Sequence, residues 1–238
     1  MSPNTGVVPP RRALNHLLTI VIFICASSSL VSAKTSVPEK PSQEEISVLK
    51  RAVVIVTTFD SRGKPLLQGS GFFIETDCVV TNMHVIKAAS SIRISTFGGK
   101  TGTVKKVIAA NEKTDLALLQ VESSLADAVL QVEDTPPVEG DAIIVLGNPQ
   151  GSPWKVTRGR IGPFWQFAGF SGRLQITAEI FRGSSGGPVV NEHGRVIGVA
   201  AMHLDGGYDL NFAVPAENLR AIQASTSATS HYLNATRD

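Results

Sequence analysis

The sequence predicts an all-β fold made of antiparallel barrels or sandwiches. About twelve short segments are rich in apolar or β-branched residues and are bounded by Gly, Pro, Asn or Asp, as strands are. Helical patterning is confined to two short stretches near the ends of the chain. The Pro-containing segment 133–137 divides the predicted strands into about six and six, which indicates two β units of similar size.

The elements follow one another in a simple order. Ser42-Gln43-Glu44-Glu45 has the form of a capping box, which predicts a short helix that continues to about Lys50. Pro215-Ala216-Glu217 predicts a C-terminal helix that ends near Gln223, followed by a flexible tail over 224–238. The predicted strands are 52–58, 69–74, 78–81, 92–96, 102–110, 116–121, 142–146, 154–161, 174–177, 188–190, 195–202 and 209–214.

Residues 1–33 have the pattern of an export signal. Arg11 and Arg12 form a basic region, an apolar stretch over 17–30 follows, and Val31-Ser32-Ala33 offers small residues for cleavage. The apolar stretch is shorter than the roughly 20 residues that span a membrane, so cleavage is the expectation. A retained anchor and a twin-arginine signal are the alternatives. We therefore expect a periplasmic or secreted protein with no stable membrane insertion, in which 34–47 is a linker and N-terminal segment.

Composition excludes several classes of function. The chain has 42% apolar residues, 18% charged residues and a net charge of +2, with no run of like charges that would bind nucleic acid. Cys78 is the single cysteine after the signal, so no disulfide can form within the mature chain. Its apolar neighbours predict a buried thiol rather than a reactive one. Histidines and cysteines lack zinc-ligand spacing, so no metal and no organic cofactor are expected.

The segment Gly-Ser-Ser-Gly-Gly-Pro at 183–188 is the strongest chemical motif of the chain. Glycines beside a serine leave room for a substrate carbonyl and let successive backbone N–H groups face one point. Ser185 is therefore a candidate nucleophile, and the N–H groups of Gly183 and Ser185 are candidate donors of an oxyanion hole. The alternative is an ordinary Gly/Ser turn between strands.

A serine nucleophile needs a base and a group that orients the base. Of the five histidines, only His84 follows a predicted buried strand, in Val79-Val80-Thr81-Asn82-Met83-His84. Asp115 stands at the start of the apolar strand 116–121, where a carboxylate can be drawn under a histidine ring. Each of these residues alone would more simply be a packed or surface histidine and a turn aspartate.

These motifs together resemble the HtrA/Deg branch of the trypsin-like, chymotrypsin-fold serine proteases. The resemblance covers about 70–216. It is carried by Gly69-Ser70-Gly71-Phe72, Thr81-Asn82-Met83-His84-Val85, Thr114-Asp115-Leu116-Ala117-Leu118-Leu119, Gly147-Asn148-Pro149-Gln150-Gly151 with Val156-Thr157-Arg158-Gly159, the 183–188 segment, and Asn211-Phe212-Ala213-Val214-Pro215.

The resemblance implies two six-stranded antiparallel β-barrels within a protease domain over 48–223. The first barrel would span about 48–132, the second about 138–215, and the C-terminal helix about 216–223. It implies that His84 is the general base and acid, Asp115 its orienting partner and Ser185 the nucleophile. Gly183 and Ser185 would supply the oxyanion N–H groups, and the partners would be polypeptide substrates.

The substrate pocket is the part of the site that the resemblance defines least. It would be formed by Glu179, Ile180, Phe181, Ala201, His203 and Asn211. Ile180 favours an aliphatic residue before the cleaved bond, whereas Glu179 would favour a basic one and His203 an acidic one. A solvated Glu179 with no role in the pocket is a further alternative.

The chain departs from the family pattern at three places. Ser184 replaces the usual Asn before the nucleophile, and Glu179-Ile180-Phe181-Arg182 is bulkier and more charged than usual. Only 23 residues follow Pro215 in a chain of 238, which is too short for the PDZ domain that many members carry. A peptide-binding protein of the same fold without catalysis is therefore an alternative, as is a protease that rests inactive until its loops are ordered.

Overall fold

The computed structural model describes residues 41–149, 152–163, 172–204 and 210–235, with side chains up to 201 and from 210 to 225 in the last two ranges. The first helix, α1, spans Gln43–Ala52. Ser42 and Glu45 form the predicted capping box, in which the Ser42 hydroxyl accepts the Glu45 N–H and the Glu45 carboxylate accepts the Ser42 N–H. The predicted export signal and residues 34–40 of the linker lie outside the described residues.

The first sheet has seven antiparallel strands. In chain order they are β1 (Val53–Phe59), β2 (Pro65–Glu75), β3 (Cys78–Thr81), β4 (Ser91–Thr96), β5 (Thr101–Thr103), β6 (Lys106–Asn111) and β7 (Leu116–Gln120). Their order in the sheet is β5-β4-β1-β2-β3-β7-β6. A short helix, α2 (Met83–Ile86), follows β3, and a 3-10 turn at Ser123–Leu125 follows β7.

The strand predicted at 102–110 is divided between the two edges of this sheet. β5 pairs with β4 at one edge, and β6 pairs with β7 at the other. The chain changes partner between them, because the Val104 N–H donates to the Ile92 carbonyl and the Lys105 N–H to the Gln120 carbonyl. The segment 101–111 therefore runs from one edge of the sheet to the other, and the sheet is curled so that these two edges lie close together. Six predicted segments thus give seven strands.

The second sheet has six antiparallel strands, as the sequence predicts. They are β8 (Ala142–Gly147), β9 (Lys155–Arg160), β10 (Leu174–Ile176), β11 (Pro188–Asn191), β12 (Val196–Leu204) and β13 (Leu210–Pro215), in the sheet order β10-β13-β12-β11-β8-β9. A bridge between Ile161 and Ile176 joins the two edges, and the Thr177 N–H donates to the Arg160 carbonyl beside it.

Three hydrophobic clusters explain why the sheets curl and pack. One contains only residues of the first sheet and its connections, including Val54, Phe73 and Leu119, and another contains only residues of the second, including Val145 and Ile197. The third draws on both sheets and on the terminal helices, including Val53. Val53 and its neighbour Val54 belong to different clusters because successive side chains of a strand point to opposite faces.

The C-terminal helix, α3, spans Ala216–Ala235. The helix therefore continues past Gln223, where the sequence predicts its end, as far as Ala235. The flexibility of the segment 224–238 stays a prediction. The sequence from 224 to 235 contains no glycine or proline, so no residue in it breaks the helical backbone. No helix in the described part of the chain is both long and apolar enough to cross a membrane.

Candidate active site

His84 and Asp115 meet within the first sheet. Strand β3 ends at Thr81, and the turn of α2 that follows carries His84 toward the start of β7, where Asp115 lies. The His84 Nδ1 lies 2.7 Å from the Asp115 Oδ2, and the His84 backbone N–H donates to the other carboxylate oxygen at 2.9 Å. One carboxylate therefore holds both the ring and the main chain of His84. The histidine side chain is 44% exposed, so its ring is open to a ligand.

Asp115 is itself held in an unusual backbone conformation. Its φ is 60°, in the left-handed region that few residues other than glycine adopt and where Asp is among the better tolerated. The Asn82 side-chain amide donates to the Asp115 carbonyl at 2.8 Å, and the Met83 N–H donates to the same oxygen at 3.2 Å. Residues just before His84 thus secure the turn that presents the carboxylate. Strain of this kind is often found where a site must be shaped in advance.

Ser185 lies next to the turn that bears His84. Gly69 packs between them: a Cβ built on it would lie 2.7 Å from the Val85 side chain and 3.2 Å from the Ser185 carbonyl oxygen. Gly186 adopts a φ of 88°, and a Cβ there would lie 2.1 Å from the Ser70 carbonyl oxygen. Glycines at 69 and 186 therefore permit the close approach that brings the serine loop against α2.

The Ser185 hydroxyl donates to the Ala201 carbonyl at 3.2 Å. Among the described residues, no hydrogen bond joins it to His84. Contacts of this kind are often long or misaligned without substrate and shorten when substrate binds.

Two backbone N–H groups of the 183–188 segment differ from their neighbours. The N–H groups of Ser184, Gly186 and Gly187 donate to the carbonyls of Phe181, Ala200 and Ser184, respectively. The N–H groups of Gly183 and Ser185 have no acceptor among the described residues. These are the two donors that the sequence predicts for an oxyanion hole. Gly183 has a φ of 96°, in the left-handed region, and this conformation turns the loop between the two N–H groups.

The predicted pocket residues lie on the second sheet and on the loop before Ser185. The Ile180 N–H donates to the Asn211 side-chain oxygen at 3.2 Å, and the Ile180 side chain is buried in the hydrophobic cluster of the second sheet. Glu179 is exposed, and its carbonyl accepts the Thr157 hydroxyl at 2.9 Å. Ala201 is buried. The side chain of His203 lies outside the described residues.

Phe181 is half-buried, and the ammonium of Lys155 stands over its ring at 3.5 Å. This distance is well within the range of a cation–π contact. A positive charge therefore lies beside the segment that leads to Gly183, in addition to Arg182.

A second charge reaches the site from the second sheet. Arg173 is partly buried, and its guanidinium donates to the Thr114 carbonyl, beside Asp115, at 3.2 Å. Burial lowers the pKa of Arg173, and the nearby Asp115 carboxylate opposes that change. Arg173 could not be identified from the sequence, because this residue stands just before a short strand and no motif surrounds it.

Four polar residues that are completely buried around the site were given no role from the sequence. They are Ser70, Thr81, Asn82 and Asn148. Each stands within or directly beside an apolar strand, and a buried polar side chain must find partners. A small polar residue in such a position is the signal that would have revealed them.

Cys78 lies in β3 and is buried, as predicted. Burial, and after it the charges of Glu75 and Asp77, raises the pKa of the thiol to about 12. The thiol is therefore protonated at neutral pH and is not a nucleophile in the folded chain. No group of three or more histidine, cysteine, aspartate or glutamate side chains in the described ranges is placed to hold a metal ion.

Comparison with known proteins gives a consistent result. Residues 69–199, more than half of the chain, match the trypsin-like peptidase domain family. The chain is 35% identical over 165 residues to a probable periplasmic serine endoprotease DegP-like of Rhizobium meliloti, a match that covers 66% of this chain and 32% of that protein. It is also 32% identical over 195 residues to the anti-sigma-I factor RsgI9 of Acetivibrio thermocellus, covering 80% of this chain and 27% of that protein.

Among solved structures, the serine endoprotease of Yersinia pestis superposes with a TM-score of 0.69 at 26% identity, over 79% of this chain and 68% of that one. This chain spans about a third of the length of the two curated relatives above. The matched residues 69–199 include most strands of both sheets and the segments that carry His84, Asp115 and Ser185. The chain therefore belongs to the trypsin-like peptidase domain family and contains a protease domain of the HtrA-like kind.

Proposed function

We propose that this chain is a serine endopeptidase that hydrolyses peptide bonds of polypeptide substrates. Ser185 is the proposed nucleophile, His84 the general base and acid, and Asp115 the residue that orients His84. The observation that carries the proposal is the pairing of His84 with Asp115, at 2.7 Å through the ring and 2.9 Å through the backbone. A carboxylate bound to Nδ1 leaves Nε2 available to the serine hydroxyl.

In the proposed reaction, Nε2 of His84 takes the proton of the Ser185 hydroxyl while the oxygen attacks the substrate carbonyl carbon. The intermediate collapses, the C–N bond breaks, and His84 gives its proton to the leaving amine. A water then loses a proton to His84 and attacks the acyl carbon. The bond between that carbon and the Ser185 oxygen breaks, His84 returns the proton to Ser185, and the acid is released. Asp115 stabilises the imidazolium that forms in both halves.

The N–H groups of Gly183 and Ser185 are the proposed oxyanion hole. Because they have no acceptor among the described residues, they remain available to the oxygen on which negative charge develops. Each such donor is typically worth about 3–4 kcal/mol in the transition state.

We further propose that the catalytic unit acts after export. The basic, apolar and small-residue pattern of 1–33 supports a cleaved signal, and the Rhizobium meliloti relative is named a periplasmic protein. N-terminal sequencing of the protein from the culture medium or periplasm would test this. A mature chain that begins after Ala33 is the expected result, whereas a chain retained with Met1 at its start would contradict it.

Cleavage profiling tests the proposed activity and also reports the pocket preference. The chain is incubated with a mixture of unfolded polypeptides, and the new termini are identified by mass spectrometry. We expect new termini with wild type and none with Ser185→Ala. An aliphatic residue before the cleaved bonds would indicate the influence of Ile180, a basic residue that of Glu179, and an acidic residue that of His203. Equal product from the two proteins would contradict the proposal. Binding of the peptides without cleavage by a folded wild type would favour the peptide-binding alternative.

A further inference from the structure

Ser70 has an unusual position between the two sheets. It belongs to β2 of the first sheet and is completely buried. Its hydroxyl donates to the Gly183 carbonyl, on the serine loop, at 2.6 Å. The same oxygen accepts the Asn148 N–H, in the connection after β8, at 2.8 Å. One side chain therefore links three segments that are far apart in the sequence.

The main chain of Ser70 binds the same loop. Its N–H donates to the Ser185 carbonyl at 2.8 Å, and its carbonyl accepts the Thr81 hydroxyl at 2.7 Å. The carbonyls of Gly183 and Ser185 are thus both bound by Ser70. These residues are the ones whose N–H groups form the proposed oxyanion hole.

Asn148, the other partner of the Ser70 hydroxyl, is firmly held. It is completely buried, its side-chain amide donates to the Val54 carbonyl at 2.7 Å, and its side-chain oxygen accepts the Trp154 N–H at 2.8 Å. The Ser70 hydroxyl is therefore fixed by a rigid neighbour and cannot follow the loop if the loop rotates.

We propose that Ser70 is a positioning residue for the oxyanion hole. This inference rests on the proposed function. The peptide group after Gly183 can rotate easily, because glycine has no Cβ to restrict it. The Ser70 hydroxyl holds the carbonyl of that peptide group, whose N–H, that of Ser184, donates to the Phe181 carbonyl, and the two hydrogen bonds together oppose the rotation. Ser70 thereby keeps the Gly183 and Ser185 N–H groups converging on one point. Such preorganisation is what makes an oxyanion hole effective.

The competing explanation is that the Ser70 hydroxyl only satisfies buried polar groups and supports folding. Thr58 offers a matched control for that role. It is buried in β1, its hydroxyl donates to the Leu67 carbonyl at 3.1 Å, and it accepts the Leu67 N–H at 3.1 Å. Both hydroxyls thus donate to one backbone carbonyl and accept one backbone N–H, but Thr58 binds only its neighbouring strand.

The test compares wild type, Ser70→Ala and Thr58→Val by their rates of labelling with a fluorophosphonate, below the unfolding transition of each. Attack on the phosphorus also needs an oxyanion hole. We expect labelling of Ser70→Ala to be about 10-fold to 100-fold slower than wild type, which is part of the effect of losing one oxyanion donor. Thr58→Val should label at the wild-type rate, although both variants should unfold at lower temperature. With a peptide substrate, the loss in Ser70→Ala should fall on kcat rather than KM.

Each outcome decides the inference. Labelling of folded Ser70→Ala at the wild-type rate would overturn it, as would equal slowing of Thr58→Val. If Ser70→Ala does not fold, Ser70→Cys, which keeps only a weak donor, takes its place; slowed labelling supports the inference and wild-type labelling overturns it. Failure of the wild type itself to label would contradict the proposed function and is thereby distinguished from a failure of the Ser70 inference alone.

Discussion

The two halves of the candidate site are built differently. His84 and Asp115 are joined within the first sheet, and the residues that secure them, Asn82 and Met83, directly precede His84. The loop of Gly183 and Ser185 belongs to the second sheet but depends on Ser70 of the first sheet for two of its carbonyls. The hydrogen bonds of His84 and Asp115 are therefore made within one sheet, with Arg173 of the other half reaching only the neighbouring Thr114 carbonyl. The proposed nucleophile and oxyanion hole, in contrast, require both sheets to be packed together.

This difference suggests how the activity would be lost. Loosening of the contact between the sheets should disturb the serine loop before it disturbs the pair of His84 and Asp115. Substitutions in the two halves should therefore change activity and stability to different extents.

Removal of the proposed base should have the largest effect. We expect His84→Ala to lower kcat by about 10⁶-fold, because the serine hydroxyl is a poor nucleophile without a base. His193→Ala is the matched control, since His193 also lies beside a carboxylate, 3.7 Å from Glu192, but is exposed on a turn. Steady-state hydrolysis of a peptide substrate measures both, and comparable losses in the two variants would refute the assignment of His84.

Asp115→Asn should give the next largest loss, about 10⁴-fold in kcat, because an uncharged amide has one acceptor oxygen for the two groups that the carboxylate binds and cannot stabilise the imidazolium. The Asn82 and Met83 contacts to the residue 115 carbonyl are made by the backbone and should remain. The unfolding midpoint should therefore change far less than the activity. A variant that retained wild-type kcat would show that Asp115 does not orient the base.

Gly183→Ala tests the other half of the site. A Cβ at 183 would lie 2.6 Å from the Asn148 carbonyl oxygen, and Gly183 also has a φ of 96°. Gly99→Ala is the control, because Gly99 has a φ of 82° with no atom within 4 Å of the added Cβ. Both substitutions should cost about 1–2 kcal/mol for the left-handed conformation, but only Gly183→Ala should also lower kcat.

Thermal unfolding and peptide hydrolysis, measured on both glycine variants, give the answer. Equal activities in Gly183→Ala and Gly99→Ala would mean that the shape of the loop at 183 does not matter for the reaction.

The smallest effect is expected at the capping box of α1. Ser42→Ala should lower the free energy of unfolding by about 1 kcal/mol, because the Glu45 N–H loses its acceptor. It should leave kcat/KM unchanged, since among the described residues no hydrogen bond joins α1 to His84, Asp115 or the 183–188 segment. Denaturant unfolding and hydrolysis assays measure the two quantities, and a fall in kcat/KM would link α1 to the site in a way that the contacts do not suggest.

Much of the fold could be predicted from the sequence because strands and their turns leave local signals. The apolar segments around Val79 and Val145 were identified as strands, and the capping box at Ser42 correctly marked a helix. The break of the strand at Val104 could not be predicted, because it depends on which distant strands accept its hydrogen bonds. The end of α3 was missed because its alanines, serines and threonines give only weak preferences.

The site could be predicted as far as its motifs extend. His84, Asp115 and Ser185 stand within recognisable segments, whereas the part played by Ser70 depends on a contact with a residue 113 positions away. Local patterns do not reveal such contacts. The pocket was the least predictable part: Ile180 packs into the core of the second sheet and Glu179 is exposed, so neither residue type alone defines the preferred substrate.

The central claim is that Ser185 is a nucleophile activated by His84. It is tested most directly by treating folded wild-type protein with a fluorophosphonate and locating the adduct by peptide mass spectrometry. We expect a single adduct on Ser185, formed far more slowly in His84→Ala and at the wild-type rate in His193→Ala. A folded wild type without an adduct, or an adduct on the adjacent Ser184 instead, would contradict it.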